Sequence, residues 1–278
     1  MQKQKFTILS ALKYLTLIIA SLAVFLPIVV VFLAAFKTSK EYSSTGPLIL
    51  PQNFLNLENF LSAIVKGDML IGFMNIAIVL LLSVFGAIVL GSMVAYVLDR
   101  FEFKGNNWVM AAFLFATLIP SVTTQVATFK IVNALGLFNT RLAAIILYLG
   151  TDIVAIYIFI QFISSISKSL DESAMLDGAS YFTIYLKIIL PLLKPAIVTV
   201  FMVKGIGIYN DFYTPFLYMP KKDLKVVSTA LFNFIGPYGA HWEIICALII
   251  LAIIPTLIVF LSLQKYLYNG FTQGSVKN

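Results

Sequence analysis

Six stretches of this chain stay apolar for about 20 residues or more, the length a helix needs to cross roughly 30 Å of hydrocarbon. They are residues 14–36, 69–98, 108–129, 142–163, 196–219 and 244–263. Lipid offers no water to satisfy backbone N–H and C=O groups, so segments of this kind must close those bonds internally as helices. The expected fold is all-α and integral to a membrane: six transmembrane helices in a single domain over residues 1–278, with a polar segment, 164–195, between the fourth and fifth. The composition agrees, with 60% apolar and 11% charged residues, against about 45–50% and 25% in soluble domains. Spans one, two, three and six contain no charged residue. Pro27, Pro120 and Pro255 fall inside spans, where neighbours can re-satisfy the carbonyls that a kink frees. Trp108 and Trp242 stand at span ends, where an amphipathic ring prefers the interface.

The net charge of +7 is spread too thinly for a nucleic-acid reader and suits basic residues facing anionic lipid at the membrane edges. One cysteine, Cys246, cannot make an intrachain disulfide and reads as a small core residue. One histidine, His241, cannot build a multi-histidine metal site, and no acidic pair or metal cluster falls in a span, so no catalytic residues are expected. There is no G-x-x-x-x-G-K-[ST] loop to cradle nucleotide phosphates.

Lys3, Lys5 and Lys13 precede the first apolar run, which is longer than a signal-peptide core of about 7–15 residues and is taken as an uncleaved first span. The basic N-terminus and the short turn with Arg100 and Lys104 place the N-terminus in the cytoplasm. Across the whole chain Lys and Arg divide almost evenly between the two sides. Parity then makes the C-terminus and the 164–195 segment cytoplasmic as well.

That segment reads as two short helices and a turn. Ser169 and Glu172 have capping-box spacing, so the first helix starts at Leu170. Gly178 suits a left-handed stop. Ser180 caps a second helix that Pro191 ends, and Pro195 opens span five. Ala174 and Ala179 are small enough for another surface to approach. Met175, Leu176, Tyr181 and Phe182 are too apolar for an idle loop and point to a docking surface.

The string from Glu172 to Ala179, E-S-A-M-L-D-G-A, followed by Ile188, Leu190 and Pro191, resembles the EAA loop of ABC-importer permease subunits. Ser173 replaces the first alanine of that pattern, one small residue for another. Asp177–Phe182 resembles the carbohydrate-uptake branch, as do Asn53–Phe60, Asn210–Phe212 and the ending GFTQGSVK. Tyr209 stands where that branch usually has tryptophan. The chain is most similar to the second permease subunit of maltose-type and multiple-sugar importers. The resemblance implies a bacterial plasma-membrane permease domain that imports a sugar or oligosaccharide, itself no enzyme. It implies a second permease subunit as heterodimer partner, two cytoplasmic ATPase subunits and an extracellular solute-binding protein. No cofactor is implied for this chain; ATP and Mg²⁺ sit on the ATPase subunits. Glu172, Ser173, Ala174, Met175, Asp177, Gly178 and Ala179 are implied to form the coupling helix and its turn, with Glu172 contacting basic residues of the ATPase socket.

Three ionisable residues lie within spans: Asp152 in span four, Lys204 and Asp211 in span five. Such residues usually face a partner or a water-filled cavity. One reading is a structural Asp152–Lys204 pair near mid-span. The other puts Lys204 and Asp211, seven apart on one helix face, along the solute path. Tyr209, Asn210 and Asp211 combine an aromatic ring with polar groups, as a sugar's C–H faces and hydroxyls require. A secondary transporter is the rival function, but it would usually show an internal repeat, and none is evident.

Overall fold

The computed structural model describes residues 8–150, 152–236 and 239–273. Its helices are α1 (Ile8–Ala35), α2 (Ser39–Ser44), α3 (Glu58–Val65), α4 (Met69–Arg100), α5 (Asn106–Leu118), α6 (Ser121–Ala134), α7 (Arg141–Leu149) and α8 (Ile153–Ile163). They continue as α9 (Ser169–Leu176), α10 (Tyr181–Ile184), α11 (Leu190–Leu192), α12 (Lys194–Asn210), α13 (Tyr213–Tyr218), α14 (Val227–Ala230) and α15 (Trp242–Gln273). A π-helical turn, Tyr185–Ile189, joins α10 to α11. A short antiparallel pair, β1 (Ile235–Gly236) with β2 (Gly239–Ala240), precedes α15.

Among the described residues, three helices are long and apolar enough to cross a bilayer unbroken: Leu12–Ala35 within α1, α4 itself, and Trp242–Gln264 within α15. Pro27 and Pro255 lie inside continuous helices. The other apolar segments are bent pairs. Asn106–Leu118 and Val122–Ala134 meet at 100°, Arg141–Leu149 and Ile153–Ile163 at 45°, and Tyr181–Leu192 and Lys194–Asn210 at 73°.

The bends have local causes. Pro120 forces Ile119 out of the helical region (φ −80°, ψ 112°), so α5 stops there instead of kinking through. Between α7 and α8 the backbone of Asp152 is extended, and its Oδ1 accepts from Ala155 N at 3.1 Å, as an N-cap does. Asp152 therefore stands at a helix break, not mid-helix as the sequence suggests. The fifth span is also shorter than expected: α12 ends at Asn210, and Asp211, in extended backbone, and Phe212 separate it from α13.

Packing divides the chain into two units, one holding the residues up to Met69 with Leu231–Pro255, the other Leu70–Ala230 with the residues from Thr256 onward. In the first, Asn59 takes carbonyls that the end of α1 leaves without helical partners. Its Nδ2 donates to Ala35 O and Lys37 O, both at 2.8 Å. Lys37 is 1% exposed and donates to Thr45 Oγ1 and Gly46 O at 3.0 and 2.8 Å. Glu41 Oε1 accepts from Gln52 N at 2.7 Å. Cys246 is buried in a small cluster with Ala34, Ala35 and Ala247.

The second unit has its core where α4, α8, the π turn and α12 converge, around Tyr96, Phe159, Ile163, Ile184, Ile189 and Val200. Small residues on α4 let neighbours approach: Gly72 faces the backbone of Val226 and Val227, and Gly91 faces Ala155 and Phe159. Asn75, fully buried, donates to Asp223 O at 2.9 Å and Lys225 O at 2.7 Å, and accepts from Arg141 Nε at 2.8 Å. These bonds tie the segment after α13 to α4 and α7.

Candidate functional site

The polar segment is a helix, a left-handed turn and a second helix. Helix α9 begins one residue earlier than the capping-box spacing suggests. Ser169 is already helical, and no side chain caps the helix start. Ser167 takes the local role instead, its Oγ accepting from Ser169 N at 3.3 Å and lying 2.7 Å from Ser169 Oγ. At the other end Gly178 has φ +83°. Ala179 N donates to Ala174 O at 2.9 Å and Gly178 N to Met175 O at 3.0 Å, the paired bonds of a Schellman stop. Ser180 Oγ accepts from Thr183 N and caps α10.

Pro191 does not end the second helix, which runs on to Leu192 through the π turn. In that turn Leu190 N bonds back to Tyr185 O, one residue further than in an α-helix. Proline lacks an N–H and its ring crowds the carbonyl four residues earlier. The wider turn just before Pro191 relieves both problems.

Glu172, Ser173, Met175, Leu176, Asp177 and Gly178 are exposed, with Leu176 at 90%. Tyr181 and Phe182 are exposed as well. Ala174 and Ala179 face the other way. They are half-buried and pack against the core of their own unit. Their small size helps to seat the loop on the spans.

Of the three ionisable residues that the sequence places in spans, Asp152 and Lys204 meet, while Asp211 takes other partners. Lys204 Nζ is 2.7 Å from Asp152 Oδ2, with side chains 11% and 21% exposed. Asp211 is engaged on every side. Tyr148 OH donates to its Oδ2 at 2.7 Å, Tyr213 N and Thr214 N donate to its Oδ1 at 2.8 and 3.3 Å, and Ser228 Oγ donates to its backbone oxygen at 2.7 Å. Its carboxylate thus caps α13 while gripping α7. Lys204 and Asp211 do not pair with each other. Each ties α12 or its end to a different half of the bent α7–α8 segment. Asn210 is exposed; Tyr209 is half-buried, with its hydroxyl bonded to Thr256.

Sequence reasoning missed Arg100, Asp171, Tyr148, Asn75 and Arg141 as partners. For Asp171 a signal existed. It shares a helix face with Ala174, three residues on, so the small inward-facing alanine marks that acid as the buried one of the Asp171–Glu172 pair. Among the described residues, no group of three or more His, Cys, Asp or Glu is arranged to hold a metal ion.

Residues 87–273 match the family described as binding-protein-dependent transport system inner membrane component. This range includes the polar segment and all the paired membrane residues, but not Asn53–Phe60. The chain is 30% identical to the arabinooligosaccharides transport system permease protein AraQ of Halalkalibacterium halodurans, over 93% of each chain. It is 29% identical to the melibiose/raffinose/stachyose import permease protein MelC of Bacillus subtilis, over 96% of this chain and 97% of that one. A solved bacterial ABC transporter involved in import of the acidic polysaccharide alginate contains a chain that matches with TM-score 0.84 and 19% identity, covering 96% of this chain and 99% of that one. At that identity the likeness is one of fold.

Proposed function

Because the chain belongs to the family of binding-protein-dependent transport system inner membrane components, we propose that it is the permease subunit through which an ATP-driven importer takes up an oligosaccharide. The sugar class is carried over from relatives whose names specify oligosaccharide import. The protein is a bacterial membrane protein and a transport subunit, not an enzyme. On this reading the three unbroken helices, the bent pairs α5–α6 and α7–α8, and α12 followed by α13 make six spans, with both termini and the α9–α11 segment in the cytoplasm. A second permease subunit completes the pathway, a solute-binding protein delivers the sugar from outside, and two ATPase subunits drive the cycle. ATP and Mg²⁺ are held by those ATPase subunits, not by this chain.

One observation carries the proposal: α9 presents Glu172, Met175 and Leu176 bare on one side while Ala174 and Asp171 hold it to the spans on the other. An apolar patch with an acidic edge, rigidly mounted, is suited to a socket on another protein. When the ATPase subunits close on ATP they carry α9 with them, and the spans re-pack between inward-open and outward-open states. Tyr209 and Asn210, at the end of α12, offer a ring and an amide to the solute. Asp211 contributes by holding the break open.

The test is reconstitution of the complete complex in liposomes with the binding protein loaded from a panel of oligosaccharides. The expected result is sugar uptake that requires ATP, the ATPase subunits and the binding protein together. Uptake driven by an ion gradient without the ATPase subunits would point to a secondary transporter and overturn the proposal.

A further inference from the structure

The α9–α11 segment is fixed to the end of α4 at two points, the first of them away from its exposed face. Arg100 closes α4 with a side chain 6% exposed. Its Nη1 meets Asp99 Oδ2 at 2.9 Å and its Nη2 donates to Ile166 O at 2.9 Å. Its Nε stands 2.6 Å from Asp171 Oδ2, an ion pair outside linear hydrogen-bond geometry. Asp171 lies on α9 with a side chain 8% exposed, and neither of its carboxylate oxygens has a hydrogen-bond partner among the described residues. The second point is a group of rings: Phe101 lies edge-on to Tyr181 at 4.8 Å, and Tyr96 contacts Phe101 and Tyr185 at 5.9 and 5.6 Å.

The geometry points to Arg100 as the positioning residue through which movement of the coupling helix reaches α4. This rests on the transport reading above. A pair shielded from water is expensive to stretch, so displacing α9 pulls Asp171, Arg100 and then the whole of α4, which is continuous from Met69. A solvent-exposed pair would exchange for water and transmit little. Glu172, one residue along, faces outward to the ATPase. Adjacent acids thus divide the work, one receiving the motion and one passing it on.

The experiment uses the full complex in liposomes and reads sugar imported per ATP hydrolysed beside the melting temperature and subunit stoichiometry. The informative variant is the double substitution Arg100→Gln with Asp171→Asn, which removes both charges of the shielded pair together and leaves only Asp99, at the membrane-edge end of α4 and 12% exposed, without its cation. The expected outcome is normal stoichiometry and basal ATPase activity, with import per ATP lower by about tenfold, within the ordinary range of coupling between sites. Wild-type import per ATP in the double variant overturns the linkage. So does failure of that variant to assemble, because the pair would then serve folding alone. ATP-independent uptake by the wild-type complex overturns the transport reading instead.

Discussion

Asp152 does two jobs with one carboxylate: Oδ1 caps α8 and Oδ2 meets Lys204. The two can be separated by substitution. Asp152→Asn keeps an oxygen for the cap and loses the charge, whereas Asp152→Ala loses both. We expect the alanine variant to be less stable than the asparagine variant by about 1 kcal/mol, the usual worth of an N-cap, measured as a difference in detergent melting temperature. The exchange Asp152→Lys with Lys204→Asp should recover the pair but not the cap. It should therefore melt above either single charge reversal yet below wild type. An exchange no better than the single reversals would mean that the pair contributes nothing to stability. The pairing of Asp152 with Lys204 was one of two readings open in the sequence. The cap was equally legible, since Gly150 and Asp152 make a helix-stop and helix-start signal. It is easily overlooked because apolar residues continue on both sides and the run reads as one span.

At the scale of elements, what the sequence conceals is breakage. A continuous apolar run reports burial in lipid, and α1, α4 and α15 follow directly from it. It does not report whether the helix inside is straight. Proline is an ambiguous sign: Pro27 and Pro255 are absorbed, Pro120 breaks its span, and Pro191 is accommodated by a π turn. The end of α9 was legible, because a left-handed stop has a strong residue preference and Gly178 meets it. No atom lies within 4 Å of where a Cβ on Gly178 would stand, so substitution there costs backbone strain and no collision. The expected order of damage is therefore Gly178→Asn least, Gly178→Ala next and Gly178→Val most. The alanine penalty should be about 1–2 kcal/mol for an L-residue in the left-handed region, and a β-branched residue should suffer more. On the transport reading the valine variant stays inserted and assembled, while ATP hydrolysis is uncoupled from uptake. Comparing sugar uptake with ATPase rate for the three variants checks the order. Equal coupling in all three would show that the shape of the turn is irrelevant to the cycle.

For the whole molecule, orientation is what the chain's charges leave least decided, because Lys and Arg are nearly balanced across the spans. The fold supplies a stronger constraint. Only α12 and α13 lie between the α9–α11 loop and Lys221, so if they cross the membrane together the two must face opposite sides. If the loop meets ATPase subunits, it faces the cytoplasm and Lys221 faces out. Cys246 is buried among alanines, so Cys246→Ala gives a mild thiol-free background. On that background Ser173→Cys and Lys221→Cys place single thiols at exposed sites on the two loops. A membrane-impermeant maleimide added to intact cells, with any outer barrier permeabilised, should label the residue-221 thiol and spare the residue-173 thiol. Inside-out vesicles should show the reverse. Labelling of residue 173 from outside would put the bare face of α9 where no ATPase can reach it, and the coupling role assigned to Glu172, Met175 and Leu176 would fall with it. Labelling of both thiols from the same side would instead mean that α12 and α13 form a re-entrant loop, turning back at Asp211. The hydrogen bonds around Asp211 would then mark the tip of a hairpin and not the middle of a span.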